Sequence, residues 1–260
     1  MGAGPHPPGL RSGNAVRGDP LGFIWSSPSK ALARGPPGRD SAEATGGRIN
    51  VMDVTIIGTG NMARGIGSRL LAGGHDVTVL GKAVEDAEAV VADLGDDGSA
   101  RAGRSGDEIA DDVVVLAVYY PDARTFVEQQ ADALSGKVLI DITNPVNETF
   151  DGLVTPPDSS AAQELAALAP GAHVVKAFNT TFARTLSAGE VSGTPLDVFV
   201  ATDNDDAKAT VAGLVKDGGV TAIDAGPLKR ARELEAAGLL HMTLQGSLGT
   251  GFGSALKILS

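Results

Sequence analysis

The residues with the clearest chemical meaning form a short glycine turn, in which Gly58 and Gly60 are followed by Ala63. The turn follows an apolar, β-branched run at residues 54–57 and precedes residues with helical spacing. In such a unit the first glycine permits the tight turn, and the second lets the backbone approach a pyrophosphate at the helix N-terminus. Ala63 allows the helix to pack closely on the strand. The pattern predicts a dinucleotide site, with a plain glycine turn as the alternative.

The identity of the dinucleotide depends on the residues that end the second predicted strand, about 20 residues after the turn. An NAD site normally places Asp or Glu there to bond the ribose 2′-hydroxyl. This chain instead has Gly81 and Lys82, with no acid until Glu85. A lysine can pair with a 2′-phosphate, so the pattern favours NADP(H), with an exposed turn lysine as the alternative.

Further candidate residues follow three later apolar runs, because ligands bind outside the carboxyl ends of parallel strands. Val118 and Tyr119 are expected to pack beside the adenosine or nicotinamide half of the dinucleotide. Asn144 could hold a carboxamide or a ribose hydroxyl, unless the Asn-Pro pair is only a turn. Ala177 and Asn179 fall where a second substrate would meet the nicotinamide, although Asn179 could instead cap the next helix.

No nucleophile, general base or metal site is recognisable in the sequence. The chain has no cysteine, and none of its four histidines has a partner at metal-ligand spacing. His241, on the last predicted helix, could face the cleft, but a histidine satisfied by hydrogen bonds is the stronger expectation. Catalytic residues therefore stay unassigned, and no metal is expected.

The elements that must position these residues alternate between strands and helices. Continuous apolar runs such as VVVLAV at residues 113–118 are typical of strands buried on both faces of a parallel sheet. Strands are predicted at residues 54–57, 77–80, 100–103, 113–118, 138–142, 173–177, 196–201 and 220–224. Helices are predicted at residues 62–71, 84–94, 121–134, 159–168, 205–216 and 228–244, with a helical turn at 107–110. The alternation predicts an α/β protein with a mainly parallel, doubly wound sheet.

The chain divides into three predicted parts. Residues 1–48 are rich in Gly, Pro, Ser and Arg without periodicity, and we expect them to be disordered. Because Met52 lies just before the first strand, we expect the native start to be there or the extension to be dispensable. Residues 49–150 are expected to form the dinucleotide-binding domain, and residues 151–260 to complete the sheet and the second-substrate cleft.

The charge of the chain bears on its partners. The net charge is −11, and six of the 21 basic residues but only three of the 32 acidic ones fall within residues 1–48. A body this acidic argues against nucleic acid or an anionic membrane as a partner, since both require a basic face. No apolar run approaches the ~18 residues of a membrane span. Small-molecule partners and a cytoplasmic location are therefore expected.

Five segments give the chain a family resemblance. They are GTGNMARGIGSRLLAGGHDVTVL from residue 58, VVVLAV from residue 113, LIDITNPVN from residue 139, VVKAFNT from residue 174 and IDAGPLKRARELEAAGLLHMTLQ from residue 223. On these segments the chain resembles the NADPH-dependent F420 reductase family (F420H2:NADP oxidoreductases). The resemblance implies a Rossmann-type doubly wound sheet with a small C-terminal α/β extension ending in a helix, and usually a homodimer.

The resemblance also implies roles for individual residues. Thr59, Gly60, Asn61 and Met62 would line the pyrophosphate of NADP(H). Gly81 and Lys82 would stand at the 2′-phosphate, where the family commonly has Ser-Arg. Tyr119 and Tyr120 replace the Pro-Trp of the F420 enzymes, in which coenzyme F420 stacks on the nicotinamide.

The implied chemistry is direct hydride transfer between NADP(H) and a second carrier, most directly coenzyme F420. Such a step needs alignment of two rings and exclusion of water, but no protein nucleophile. Two alternatives stay open: an NADPH-dependent reductase of an imine or carbonyl acceptor, and an NADPH-binding sensor without turnover.

Overall fold

The computed structural model describes residues 50–95 and 98–259. The predicted extension at residues 1–48 therefore lies outside the described residues. Within the described part, no helix combines the length and the apolar character needed to cross a membrane.

The first half of the described chain contains five strands and three helices, and no helix separates the third strand from the fourth. Strands β1 to β5 are Asp53–Ile57, Asp76–Gly81, Ala100–Arg104, Val113–Leu116 and Val138–Asp141. Helices α1 to α3 are Asn61–Ala72, Val84–Leu94 and Tyr120–Gln130. Helix α1 lies between β1 and β2, as the glycine turn predicts.

The second half adds shorter elements. Strands β6 to β10 are His173–Lys176, Glu190–Val191, Thr194–Pro195, Asp197–Ala201 and Thr221–Gly226. Helices α4 to α7 are Ala161–Leu168, Ala183–Ala188, Asp205–Asp217 and Ala231–Leu248, the last preceded by a 3₁₀ turn at Leu228–Arg230. Asn204 caps α6, since its side-chain oxygen accepts the N–H of Ala207.

Eight of these strands form one sheet, in the order β10-β9-β6-β5-β4-β1-β2-β3. The six strands from β6 to β3 run parallel, whereas β9 pairs antiparallel with β6 and β10 runs parallel to β9. The chain order reverses between β1 and β4, which makes their carboxyl ends the expected place for a ligand. The predicted doubly wound, mainly parallel α/β fold is confirmed.

The core lies on both faces of the sheet. Strand β4 shows why, because Val113 and Val115 belong to one apolar cluster while Val114 and Leu116 belong to the other. The apolar run of this strand is therefore buried on both faces, as its sequence predicts. Residues Gly47–Ser260 form one compact unit, and its sheet contains strands from both parts predicted after residue 48. The boundary near residue 150 stays a prediction.

Several local predictions were wrong. Residues 107–110 are not helical, because the carboxylate of Asp107 accepts the N–H of Arg104 at 2.7 Å and closes a turn. Helix α3 ends at Gln130 and gives way to turns before Leu134, which is still fully buried. Helix α5 and the hairpin of β7 and β8 were not predicted, since six residues and two-residue strands are too short to show periodicity.

Candidate functional site

The glycine turn has the geometry that a dinucleotide requires. Gly58 has φ +117°, and a Cβ on it would lie 2.3 Å from the carbonyl oxygen of Ala117, so no other residue fits there. Gly60 precedes α1 with φ −78°, and a Cβ on it would meet nothing within 4 Å. No side chain caps the start of α1, and its first turn contains no acid. Its first N–H groups are therefore available to an anion.

A cleft of about 650 Å³ opens beside this turn, within the range typical of ligand sites. Residues at or just after the carboxyl ends of all six parallel strands line it: Ile57, Lys82, Ser105, Ala117, Ile142 and Asn179. Apolar side chains close its remaining walls: Phe126, Val146, Phe150, Phe182 and Met242.

Ten of the twelve predicted binding residues line the cleft: Gly58, Thr59, Gly60, Asn61, Met62, Lys82, Val118, Tyr119, Asn144 and Asn179. The other two lie beside it. Gly81 is buried, and a Cβ there would lie 2.9 Å from the methyl group of Thr59, so this glycine leaves room for the turn. Ala177 is fully buried within the core and does not line the cleft.

Lys82 lies at one end of the cleft and is 81% exposed. Its Nζ is 3.0 Å from Oδ1 of Asp122 on α3, and Asp86 and Ser105 line the same cleft. Sequence reasoning missed these three residues. Asp122 follows β4 closely and Ser105 follows β3 directly, so the rule that ligands bind at strand ends would have found both. A 2′-phosphate would compete with Asp122 for Lys82.

Asn144 and Asn179 form a paired unit at the ends of β5 and β6. The Nδ2 of Asn144 donates to the backbone oxygen of Asn179 at 2.8 Å, and the Nδ2 of Asn179 donates to Oδ1 of Asn144 at 2.9 Å. Asn179 also donates to the backbone oxygen of Leu234 on α7 at 2.8 Å. The alternative that Asn179 caps a helix is therefore wrong. Gly238 lets α7 approach, because a Cβ there would lie 2.5 Å from Oδ1 of Asn144.

A buried ionic cluster lies behind this pair. The Nζ of Lys176 is 2.8 Å from Asp141 and 2.8 Å from Glu235, and all three side chains are fully buried. Lys176 also donates to the backbone oxygen of Thr143, which lines the cleft. Glu235 accepts two N–H groups at the start of α4. Burial raises the pKa of Glu235, and Lys176 acts in the opposite direction.

This cluster was not predicted from the sequence. Asp141 and Lys176 are the last residues of apolar strands, which is the available signal, but their pairing requires β5 and β6 to be neighbours.

Two titratable groups near the cleft, Tyr120 and His241, have shifted pKa values. Burial and the carboxylate of Glu164 raise the pKa of Tyr120 to about 12, so its phenol is neutral. Burial lowers the pKa of His241, whose Nδ1 and Nε2 lie 3.1 Å and 2.9 Å from the oxygens of Thr180 and Ser254. The prediction of a satisfied helix histidine is confirmed. Among the described residues, no group of His, Asp and Glu could hold a metal ion.

A parallel sheet whose strand ends converge on an uncapped glycine turn defines a Rossmann-type dinucleotide-binding protein. The family model described as "NADP oxidoreductase coenzyme F420-dependent" matches residues 53–145. The F420-dependent NADP reductase of Methanothermobacter thermautotrophicus is 32% identical over 72% of this chain and 87% of its own length. The chain therefore belongs to the F420-dependent NADP reductase family and is an NADP-dependent oxidoreductase.

Two further comparisons extend this result. A crystal structure from Arthrobacter sp. FB24, described as an F420-dependent NADP reductase, superposes with a TM-score of 0.71 at 28% identity. The match covers 80% of this chain and all of that one. Metalloreductase STEAP3 of Rattus norvegicus is 31% identical over 70% of this chain but only 36% of its own length. The chain thus spans about a third of that relative. The predicted family and enzyme class are confirmed, and the predicted cofactors, NADP(H) and coenzyme F420, agree with the family.

Proposed function

We propose that this protein transfers a hydride between NADP(H), bound along the glycine turn, and coenzyme F420, bound over the nicotinamide. The observation that carries the proposal is the cleft itself, which runs from the glycine turn to the amide pair and the apolar walls in one continuous space. Each end offers a different chemistry, as two joined cofactor sites would require.

The residues present fit NADP(H). The open space above Gly60 and the uncapped start of α1 suit a pyrophosphate, and Lys82 suits a 2′-phosphate. Val118 and Tyr119 offer apolar surface between the two ends of the cleft. Gly81 leaves room for Thr59 of the turn, and Ala177 is part of the apolar core.

The two rings supply the hydride chemistry, so the protein's contribution is orientation and exclusion of water. Phe150, Phe182 and Met242 provide the apolar surface that excludes water, and the amide pair provides fixed polar contacts. Tyr120 holds its proton and His241 is engaged by two oxygens, which agrees with a transfer that needs no protein acid or base.

A second candidate is NADPH-dependent reduction of a different small acceptor. The similarity to metalloreductase STEAP3 favours it, because that match covers 70% of this chain. Tyr119 is 85% exposed at the cleft, which leaves room for acceptors of several shapes. An imine or carbonyl reductase belongs to this alternative, whereas an NADPH-binding sensor without turnover is a separate one.

The predicted homodimer and cytoplasmic location are also proposals. The exposed apolar side chains of α7 support the homodimer.

The test is anaerobic stopped-flow mixing of the protein with NADPH and oxidised F420. The absorbance of the deazaflavin is recorded during the reaction. We expect bleaching that depends on protein concentration and that NADH supports less well. Tight NADPH binding without hydride exchange at saturating F420 would move the function to another acceptor. Absence of NADPH binding would overturn both candidates.

A further inference from the structure

Phe182 lines the cleft and is half-buried, and two rings from behind the cleft wall pack on it. The ring centroid of His241 lies 4.3 Å from that of Phe182, with the two planes tilted by 31°. The ring centroid of Phe252 lies 5.1 Å away with the planes at 90°, which is a favourable aromatic arrangement. His241 and Phe252 do not line the cleft themselves. The position of Phe182 in the cleft wall therefore depends on residues outside it.

His241 is held at both ring nitrogens. Its Nδ1 is 3.1 Å from the backbone oxygen of Thr180, two residues before Phe182, and its Nε2 is 2.9 Å from Oγ of Ser254. A carbonyl oxygen can only accept, so Nδ1 of the neutral ring donates to Thr180 and Nε2 accepts from the Ser254 hydroxyl. The residue is 2% exposed. The ring therefore cannot move away from Phe182 without the loss of a buried hydrogen bond.

Phe252 lies on the segment that follows α7, residues 249–258, and has φ +60°. A residue other than glycine keeps this strained conformation only where its surroundings hold it. The buried side chain of Gln245 on α7 provides that hold. Its Oε1 accepts from Oγ1 of Thr250 at 2.6 Å, and its Nε2 donates to Oγ of Ser254 at 2.9 Å. One amide thus fixes the chain on both sides of Phe252.

The far end of the segment is held by a different element. Asp197, at the start of β9, is 2% exposed and accepts from Nζ of Lys257 and, at 2.8 Å, from the N–H of Ile258. Between the two attachments, Ala255 packs against the apolar core. The segment contains no helix or strand, yet α7 and the sheet both fix its course.

We propose that residues 249–258 form a strap that positions the ring of Phe182 in the cleft, with His241 and Phe252 as the positioning residues. The inference rests on the proposed function, in which Phe182 helps to exclude water from the reacting rings. A wall that is held in place before the second substrate arrives loses less conformational freedom when that substrate binds. The strap therefore acts on the binding of the second substrate and not on the hydride transfer itself.

The change Phe252→Leu tests this role, because it removes the ring and keeps an apolar side chain. We expect the KM for F420 to rise about fivefold, the value of one aromatic contact. The kcat and the Kd for NADP⁺ should stay the same. In a Phe182→Leu background the same change should have no effect on KM, because Phe252 acts through Phe182. A merely structural role would give the same rise in both backgrounds.

Ile258→Ala is the matched control. It removes an exposed apolar side chain from the same strap and keeps the N–H that bonds to Asp197. The KM for F420 should not change in this variant.

The strap is also tested without any ligand, in protein labelled with 4-fluorophenylalanine. The ¹⁹F resonance of Phe182 is identified by its absence from Phe182→Leu. Ser254→Ala removes the hydroxyl that His241 and Gln245 share, and it changes no ring. We expect it to shift or broaden the Phe182 resonance, whereas Ile258→Ala should leave that resonance unchanged.

The outcomes separate the strap from the function on which it rests. If the wild-type protein neither binds nor reduces F420, the proposed function fails, and the ¹⁹F spectra alone decide on the strap. If it reduces F420, and Phe252→Leu raises KM equally in both backgrounds or not at all, the positioning role of Phe252 is overturned. A Phe182 resonance that Ser254→Ala leaves unchanged would overturn the strap, whatever the acceptor.

Discussion

At the scale of single residues, the two glycines of the turn have opposite functions. Gly58 has a positive φ, and a Cβ on it would clash with the carbonyl oxygen of Ala117 inside the protein. Gly60 faces open space and has an ordinary backbone conformation. The first glycine is therefore required for folding, and the second is required only where a ligand approaches.

We predict that Gly60→Ala keeps the fold and loses the cofactor. The free energy of unfolding should change by no more than about 1 kcal/mol, because the conformation of Gly60 suits alanine. The Kd for NADP⁺ should rise about tenfold or more, because the new methyl group occupies the space for the pyrophosphate. Urea unfolding and titration calorimetry measure the two effects.

Gly58→Ala serves as the opposite control. It should destabilise the protein by about 3 kcal/mol or more through backbone strain and the clash with Ala117. Equal loss of stability in both variants would contradict the separate functions of the two glycines.

At the scale of elements, the sequence predicts the strands and helices whose apolar pattern or turn residues lie within one short stretch of the chain. The apolar run of β4 and the glycine turn before α1 locate the switch point of the sheet, and with it the cleft. The antiparallel direction of β9 was not predictable, because it follows from pairing with a strand 21 residues away in the chain. The same reason hid the contact between α7 and Asn179, which lies 55 residues before Leu234.

The buried ionic cluster joins four elements, namely β5, β6, α4 and α7. Lys176 is its only cation and lies between Asp141 and Glu235. The desolvation cost of three buried charges makes the cluster a weak source of net stability, but removal of one partner leaves the others unpaired. Its main effect is to fix the chain at Thr143.

We predict that Lys176→Met destabilises the protein by about 3–5 kcal/mol, measured by urea unfolding at neutral pH. The loss in the free energy of unfolding should depend on pH, because Glu235 binds a proton. Its folded-state pKa lies above its ordinary value of 4.5, so the folded state binds this proton more tightly than the unfolded state. The stability that Glu235 contributes is therefore lost as the pH rises from its ordinary pKa through its folded-state pKa. Without Lys176 the pKa of Glu235 should rise further, so the deficit should be larger at about pH 8 than at about pH 5.

Lys208→Met is the control for this change. Lys208 pairs with Asp224 at 3.3 Å near the surface, and such pairs contribute about 1 kcal/mol or less. A deficit of the same size in both variants, or one independent of pH, would show that the buried cluster does not behave as three coupled charges.

At the scale of the whole molecule, α7 has two different faces. One face carries Leu234 and Glu235 into the interior. The other exposes Leu240, Leu244 and Leu248, which recur every fourth residue and so form one stripe. An apolar stripe along the longest helix of the described chain is typical of a surface that another protein covers. A second copy of the chain fits the homodimer that the family resemblance implies.

We predict that the protein is a dimer and that Leu244→Glu converts it to a monomer. Burial of a carboxylate within an apolar interface is costly, so the dissociation constant of the dimer should increase about 100-fold. Sedimentation velocity across a range of concentrations measures this constant. Because each copy carries a net charge of −11, added salt should strengthen the wild-type dimer by screening repulsion.

Val51→Glu supplies the control, because Val51 is an exposed apolar side chain beside β1 and outside α7. It should leave the dissociation constant unchanged. A wild-type protein that sediments as a monomer at all concentrations would remove the dimer. A dimer that both variants weaken equally would instead place the interface elsewhere, because only an interface on α7 separates the effect of Leu244 from that of Val51.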